Sequence, residues 1–206
     1  MDAETRFFFY DVFFSMFVRE PTGEIIDAWR KGLGAIHEAG PDDSLGKPAG
    51  KLLEILTREN AIGKVCEEYQ RLFWQPDMHL VSLLASQYVD GKPFGKYLVR
   101  IREFIEKLPF RKCDDYAEPE DSLAFHLDLM RQMVREENEA SCLQAKSQWS
   151  ALQNELVNGC MDQWVEKFLD QLDAREDQPF YAQVAIMLRA YFEIERETLL
   201  EKHGSN

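Results

Sequence analysis

The sequence predicts an all-α fold, a compact bundle of about nine or ten helices. Three observations predict it. Apolar residues recur at three- and four-residue steps along most of the chain. No stretch alternates apolar and polar residues with a period of two, and no Asn-Gly turn joins two strand-like runs. The 206 residues, 45% of them hydrophobic, suffice to bury roughly 70% of the unfolded surface without a disulfide or metal staple.

The elements follow in order. Residues 5–19 carry Phe7, Tyr10, Phe14 and Phe17 on one face, and Phe8, Phe9 and Phe13 widen it. Little polar face remains, so this helix is buried in the core or covered by a partner. Pro21-Thr22-Gly23 ends it, and Thr22 is placed to cap a helix near 23–38. Gly40-Pro41-Asp42-Asp43-Ser44 is a loop. A helix near 48–58 carries Leu52, Leu53, Ile55 and Leu56, and one near 60–74 carries Val65, Tyr69, Leu72 and Phe73. Gln75-Pro76-Asp77 closes the latter, because a residue before proline avoids the α region. Short helices near 79–89 and 94–107 flank Asp90-Gly91. A helix near 119–139 carries Leu123, Leu127, Met130 and Val134. Long helical patterns then cover 142–172, where Gly159 marks a break or kink, and 178–202. The chain reads as one domain over 1–206, with possible sub-bundles 1–112 and 119–206 and a hinge near 108–118.

Charge narrows the partners. Lys and Arg number 24 against 37 Asp and Glu, a net of −13. That argues against nucleic acid or an anionic membrane surface as the main partner. The opening MDAETRFFFYDVFF begins with acid rather than a basic region, so it does not read as a secretory signal. Asp11 and Arg19 interrupt its apolar run too soon for a bilayer span. Cys66, Cys113, Cys142 and Cys160 show no Cys-x-x-Cys spacing. A reduced, cytoplasmic protein with no stable membrane insertion is the expectation.

The chemistry-bearing residues are scattered. His37, His79, His126 and His203 stand alone, with no paired Glu-x-x-His or His-x-x-x-His ligands. Glu118 and Asp121 precede His126 without completing a metal set. There is no nucleophile elbow and no phosphate-binding P-loop. Gly91-Lys92-Pro93-Phe94-Gly95-Lys96 has glycine and lysine, but Pro93 removes a donor that a phosphate cradle would use. The expectation is therefore a protein without cofactor, metal or catalytic residues.

The distinctive stretch is Cys113-Asp114-Asp115-Tyr116-Ala117-Glu118-Pro119-Glu120-Asp121-Ser122, in which five of ten side chains are acidic. The loop offers charge without internal partners, so it gains when a cation or guanidinium docks on it. Glu118 or Asp121 at the start of the following helix also complements the helix dipole.

Several motifs in order resemble the TorD/DmsD family of redox-enzyme maturation chaperones. Arg6, Tyr10, Phe17 and Pro21 resemble its opening helix. Tyr69-Gln70-Arg71-Leu72-Phe73-Trp74-Gln75-Pro76 is similar to its Y-x-x-L-F-x-x-P stretch, and Ala85-Ser86-Gln87-Tyr88-Val89-Asp90-Gly91 to the S-x-Y-x-x-G after it. Glu118-Pro119-Glu120-Asp121-Ser122-Leu123 resembles the P-x-D-H loop, and Trp164 to Phe168 with Pro179-Phe180-Tyr181 resembles the C-terminal block. Two positions depart: Ser122 stands where the family usually has His, and so does Cys160.

The resemblance implies a TorD-like helical fold and no catalysis. It implies a cytoplasmic chaperone that binds the catalytic subunit of a molybdopterin-dependent oxidoreductase, often at its twin-arginine signal peptide. The client would be held for cofactor insertion before export or assembly, by a chaperone that is monomeric or dimeric. The expected client surface joins Glu118, Asp121 and Ser122 to Tyr69, Trp74 and Tyr88, with Phe73 and Phe125 packed beneath. Carboxylates would take the arginines, and aromatic rings the apolar segment. The alternative is a small helical protein that binds or hydrolyses nucleotides.

Overall fold

The computed structural model describes residues 1–74, 80–113, 115–175 and 177–204. The expected closure at Gln75-Pro76-Asp77 lies outside them, as do His79 and Asp114. The helices are α1 (Ala3–Phe17), α2 (Gly23–Ala39), α3 (Gly46–Leu56), α4 (Ala61–Tyr69) and α5 (Ala85–Asp90). They continue with α6 (Lys96–Ile105), α7 (Leu123–Glu139), α8 (Leu143–Asn154), α9 (Val165–Asp173) and α10 (Pro179–Gly204). A π-helical turn, Gln70–Trp74, extends α4, and another, Glu155–Cys160, extends α8. Among the described residues the fold is all-α, with one isolated bridge between Leu84 and Ser122.

Side chains set most boundaries. The Thr5 N–H donates to Oδ1 of Asp2 at 2.8 Å, starting α1. The Ile25 N–H donates to Oγ1 of Thr22 at 3.3 Å, so Thr22 caps α2 as the sequence suggests. The helix expected from 119 begins at Leu123. Pro119–Ser122 is a turn, and the Phe125 N–H donates to Oγ of Ser122 at 3.1 Å. The helix expected from 79 begins at Ala85, because Leu83 and Leu84 are extended against Ser122 and Leu123. At Gly159 the expected break falls inside the π-helical turn, and a 3₁₀ turn, Met161–Gln163, separates it from α9.

The chain forms two units. The first comprises Met1–Val18, Leu83–Val165 and Glu195–Asn206, and the second Arg19–Ser82 and Glu166–Ile194. The expected hinge stretch, 108–118, falls within the first unit.

In the first unit α1 packs along α7. Tyr10, Phe13, Met16 and Phe17 on α1 and Leu127, Met130, Met133 and Val134 on α7 are all fully buried. Arg6 is buried there too, at 0% exposure. Its Nε donates to both carboxylate oxygens of Glu195, at 3.1 and 2.9 Å, and its Nη1 to Glu137 at 3.0 Å. Lys202 donates to the other oxygen of Glu137 at 2.6 Å, and Tyr10 donates to Glu195 at 3.0 Å.

In the second unit α2 packs on α3. Trp29 stacks on Phe180 with ring centroids 5.5 Å apart. Glu68 of α4 accepts from the Phe180 N–H at 3.0 Å and the Tyr181 N–H at 3.2 Å. It thus satisfies orphan donors at the start of α10.

Candidate functional site

The first unit holds a polar cluster around Asp121. Residues 83–85 run antiparallel to 121–123. The Ala85 N–H donates to the Asp121 carbonyl at 2.8 Å, and the Leu123 N–H to the Leu83 carbonyl at 2.9 Å. This pairing lays the Asp121 side chain beside Ser86, whose hydroxyl and N–H donate to Oδ2 at 2.5 and 3.4 Å. Ser86 Oγ in turn accepts from the Phe94 N–H at 2.9 Å. Asp121 is 0% exposed, and its Oδ1 has no hydrogen-bond partner. A buried carboxylate oxygen left unpaired is costly and calls for a donor.

Next to it runs a chain of neutral hydrogen bonds. His126 lies one turn after Ser122 and is 0% exposed. Its Nδ1 is 2.7 Å from the Ser122 carbonyl, which can only accept, so Nδ1 carries the proton. Nε2 therefore accepts from the Tyr97 hydroxyl at 3.0 Å. The Tyr97 oxygen accepts from Nε1 of Trp164, also at 3.0 Å. Burial pushes the His126 imidazolium down to about 4, against the opposing pull of the Ser122 carbonyl and the Asp121 charge. Burial pushes the Tyr97 phenol up. Tyr88 covers this group from α5, its ring stacked on Trp164 at 6.1 Å. Cys160 is buried, and burial raises its thiol.

The sequence-predicted residues divide between the units. Tyr69 and Trp74 belong to the second, and Tyr88, Glu118, Asp121 and Ser122 to the first. Tyr69 is buried at 5% exposure, its ring against Phe73 and Tyr181. Trp74 is 63% exposed. Tyr88 and Glu118 are half-buried. Phe125 is buried beneath the loop, as expected, while Phe73 is half-buried.

Three details correct the picture of a loop whose charges lack internal partners. Asp121 binds Ser86, Glu120 pairs with Arg102 at 3.3 Å, and the Lys112 ammonium donates to the Glu118 carbonyl. Burial raises the Glu118 carboxyl above its ordinary value, although the Ser122 hydroxyl and the Lys112 charge pull it down. Nor does Asp121 cap α7, since Ser122 does.

Sequence reasoning missed Ser86, Tyr97 and the Trp164–His126 pairing. Polar-tipped residues on otherwise apolar helix faces were the available signal. Among the described residues no cluster of His, Cys, Asp and Glu is placed to hold a metal ion. No helix there is long and apolar enough to cross a membrane.

Comparison with known proteins decides the family. The profile of the family described as nitrate reductase delta subunit matches residues 38–170. The chain belongs to this family. Its members of TorD type are chaperones of redox-enzyme maturation, not enzymes. The chain is 26% identical over 196 residues to the chaperone protein TorD of Vibrio atlanticus, covering 90% of both chains. It is 25% identical over 155 residues to that of Aliivibrio salmonicida, covering 74% of this chain and 72% of the relative. It is 24% identical over 156 residues to that of a Shewanella species, covering 72% and 69%. The TorD-family assignment makes this protein a chaperone of molybdoenzyme maturation.

Proposed function

We propose that the protein binds, in the cytoplasm, the catalytic subunit of a molybdopterin-dependent oxidoreductase through its N-terminal twin-arginine signal, and holds it for cofactor insertion. The observation that carries this reading is the free Oδ1 of Asp121, a fully buried carboxylate oxygen without a donor. A guanidinium supplies such a donor in a strong, charge-assisted form. The half-buried carboxylate of Glu118 offers a second acceptor on the same loop. Because Asp121 has no exposed surface, binding requires the loop around 118–122 to open, and Ser122 is the cap that this opening strains. Tyr88 in the first unit, and Trp74 in the second with Tyr69 buried next to Phe73, are separate contacts for the apolar part of the signal.

The test is calorimetric titration with the client's leader peptide, beside thermal melts. Asp121→Asn keeps an oxygen for Ser86 and turns the free oxygen into an N–H donor, which cannot receive an arginine. Losing a hydrogen bond to a charged group costs about 1.5–3 kcal/mol, so affinity should fall roughly ten- to a hundredfold with little change in melting temperature. Unchanged affinity with a lowered melting temperature would assign Asp121 to structure alone.

A further inference from the structure

A pocket of about 250 Å³ opens in the first unit where the end of α6, residues 110–113, Tyr116 and α7 meet. Its walls are Ile105, Phe110, Tyr116, Phe125 and Leu129. Around them stand Arg111, Lys112 and Arg135. These three cations are unusual company in a chain of net charge −13.

The charge of Lys112 acts on Glu118 and Glu120, but among the described residues none of the three is held in an ion pair. Arg111 donates to the carbonyls of Leu108 and Phe110, Lys112 to that of Glu118, and Arg135 to the side-chain oxygen of Gln132. Among the described residues none has a carboxylate at ion-pair distance, whereas Arg6, Arg102, Arg131 and Arg189 each do. Of the two carboxylates in the lining, Asp128 is held by Arg131 at 2.8 Å, and Glu136 has no ion pair among the described residues. The Lys112 ammonium lies 5.8 Å from the centroids of both Tyr116 and Phe125, so the apolar walls and the positive rim are continuous.

We infer that this pocket docks an acidic peptide segment, one large apolar side chain entering it and flanking carboxylates lying on Arg111, Lys112 and Arg135. Size favours a side chain, since pockets for whole small molecules span about 300–1,000 Å³. Charge favours acidic flanks, since Arg111 and Arg135, with no carboxylate partner among the described residues, stand with Lys112 beside low-dielectric walls and attract anions. The occupant is opposite in sign to an arginine-bearing signal, so the site stands apart from the Asp121 reading.

The probe is a dye-labelled nonapeptide with a central tryptophan and two aspartates on each side, followed by fluorescence anisotropy on the full chain. A matching peptide with lysines replaces the aspartates in the control. The acidic peptide should bind at least tenfold more tightly than the basic one, and more weakly as salt rises. The exposed double variant Arg111→Glu/Arg135→Glu should lose at least tenfold in affinity while keeping its helical spectrum and melt. Bound peptide should also slow alkylation of Cys113, which lines the pocket, but not of Cys142, which is exposed and does not. Equal binding of the two peptides, an unaffected double variant, or displacement of the probe by micromolar GTP or ATP would each overturn the inference. The leader-peptide titration at Asp121 is independent of these outcomes, so either proposal can fail alone.

Discussion

Arg6 and Glu195, 189 positions apart, meet through a guanidinium whose Nε reaches both oxygens of one carboxylate. Glu137, Gln153 and Tyr10 complete the group. Removing one member of a buried ionic group strands the rest, at about 3–5 kcal/mol. Arg6→Ala should lose that much in a denaturant titration of the whole chain. A loss below about 1 kcal/mol would mean that water reaches the cluster.

The same cluster sets an acid limit. Burial works against charge on Glu137, but hydrogen bonds from Lys202 and Gln153 and the charges of Lys202 and Arg6 outweigh it. Its carboxyl is therefore held below the ordinary range. A depressed carboxyl contributes stability above its unfolded pKa of about 4.3, and loses it as pH falls through the folded value. Stability measured from pH 6 to 3 should drop, and Glu137→Gln should flatten that drop.

Tyr97 is the hinge pin of a three-bond chain, since it donates to His126 and accepts from Trp164. Tyr97→Phe leaves a buried acceptor and a buried donor unpaired, each costing about 1–3 kcal/mol. His126 itself should stay neutral to about pH 4. A depressed imidazolium contributes stability above the unfolded value of about 6.5, and that contribution is lost as pH falls toward 4. Nitrogen-detected NMR showing His126 titrating near 6.5 would contradict the burial argument.

Glu68 behaves in the opposite sense. Burial raises its carboxyl to about 7, against the pull of the Tyr181 and Phe180 N–H groups. A raised carboxyl contributes stability that is full below about 4.5 and lost as pH rises through 7. Glu68→Gln retains an oxygen for the N-terminus of α10. It should remove the fall in stability between pH 5 and 8, read by thermal melts across that range.

Phe94 has φ of +56° and is 61% exposed, a bulky side chain in a left-handed backbone. That conformation costs about 1–2 kcal/mol for an ordinary residue, and less for asparagine. Phe94→Asn should raise stability by about 1 kcal/mol. A decrease would show that the ring makes contacts worth more than the strain.

Much of the fold was legible because it is written locally. The aromatic stripe of α1, Thr22 as a cap, and the break at Gly159 each follow from neighbours within a few positions. Ser122 was legible in principle, as a serine just before an apolar helical run, although the acids around it suggested an earlier start. The pairing of residues 83–86 with 121–123 was not legible, since it brings together residues 35 or more positions apart and leaves no periodic trace. Asp121 was expected to offer its charge without an internal partner, whereas it is buried and bound by Ser86, because composition does not record burial.

The order of segments also has a consequence for synthesis. The first unit draws on the opening helix, the middle of the chain and its last residues, and the second fills the gaps between. Neither can be completed from an N-terminal portion, so the usual domain-by-domain folding of an emerging chain is closed to this protein. Arg6 is made 189 residues before Glu195 and waits for it, and the apolar face of α1 waits for α7. A chaperone of molybdoenzyme maturation thus passes through a long incomplete state of its own, with its most apolar helix made well before the helix that covers it.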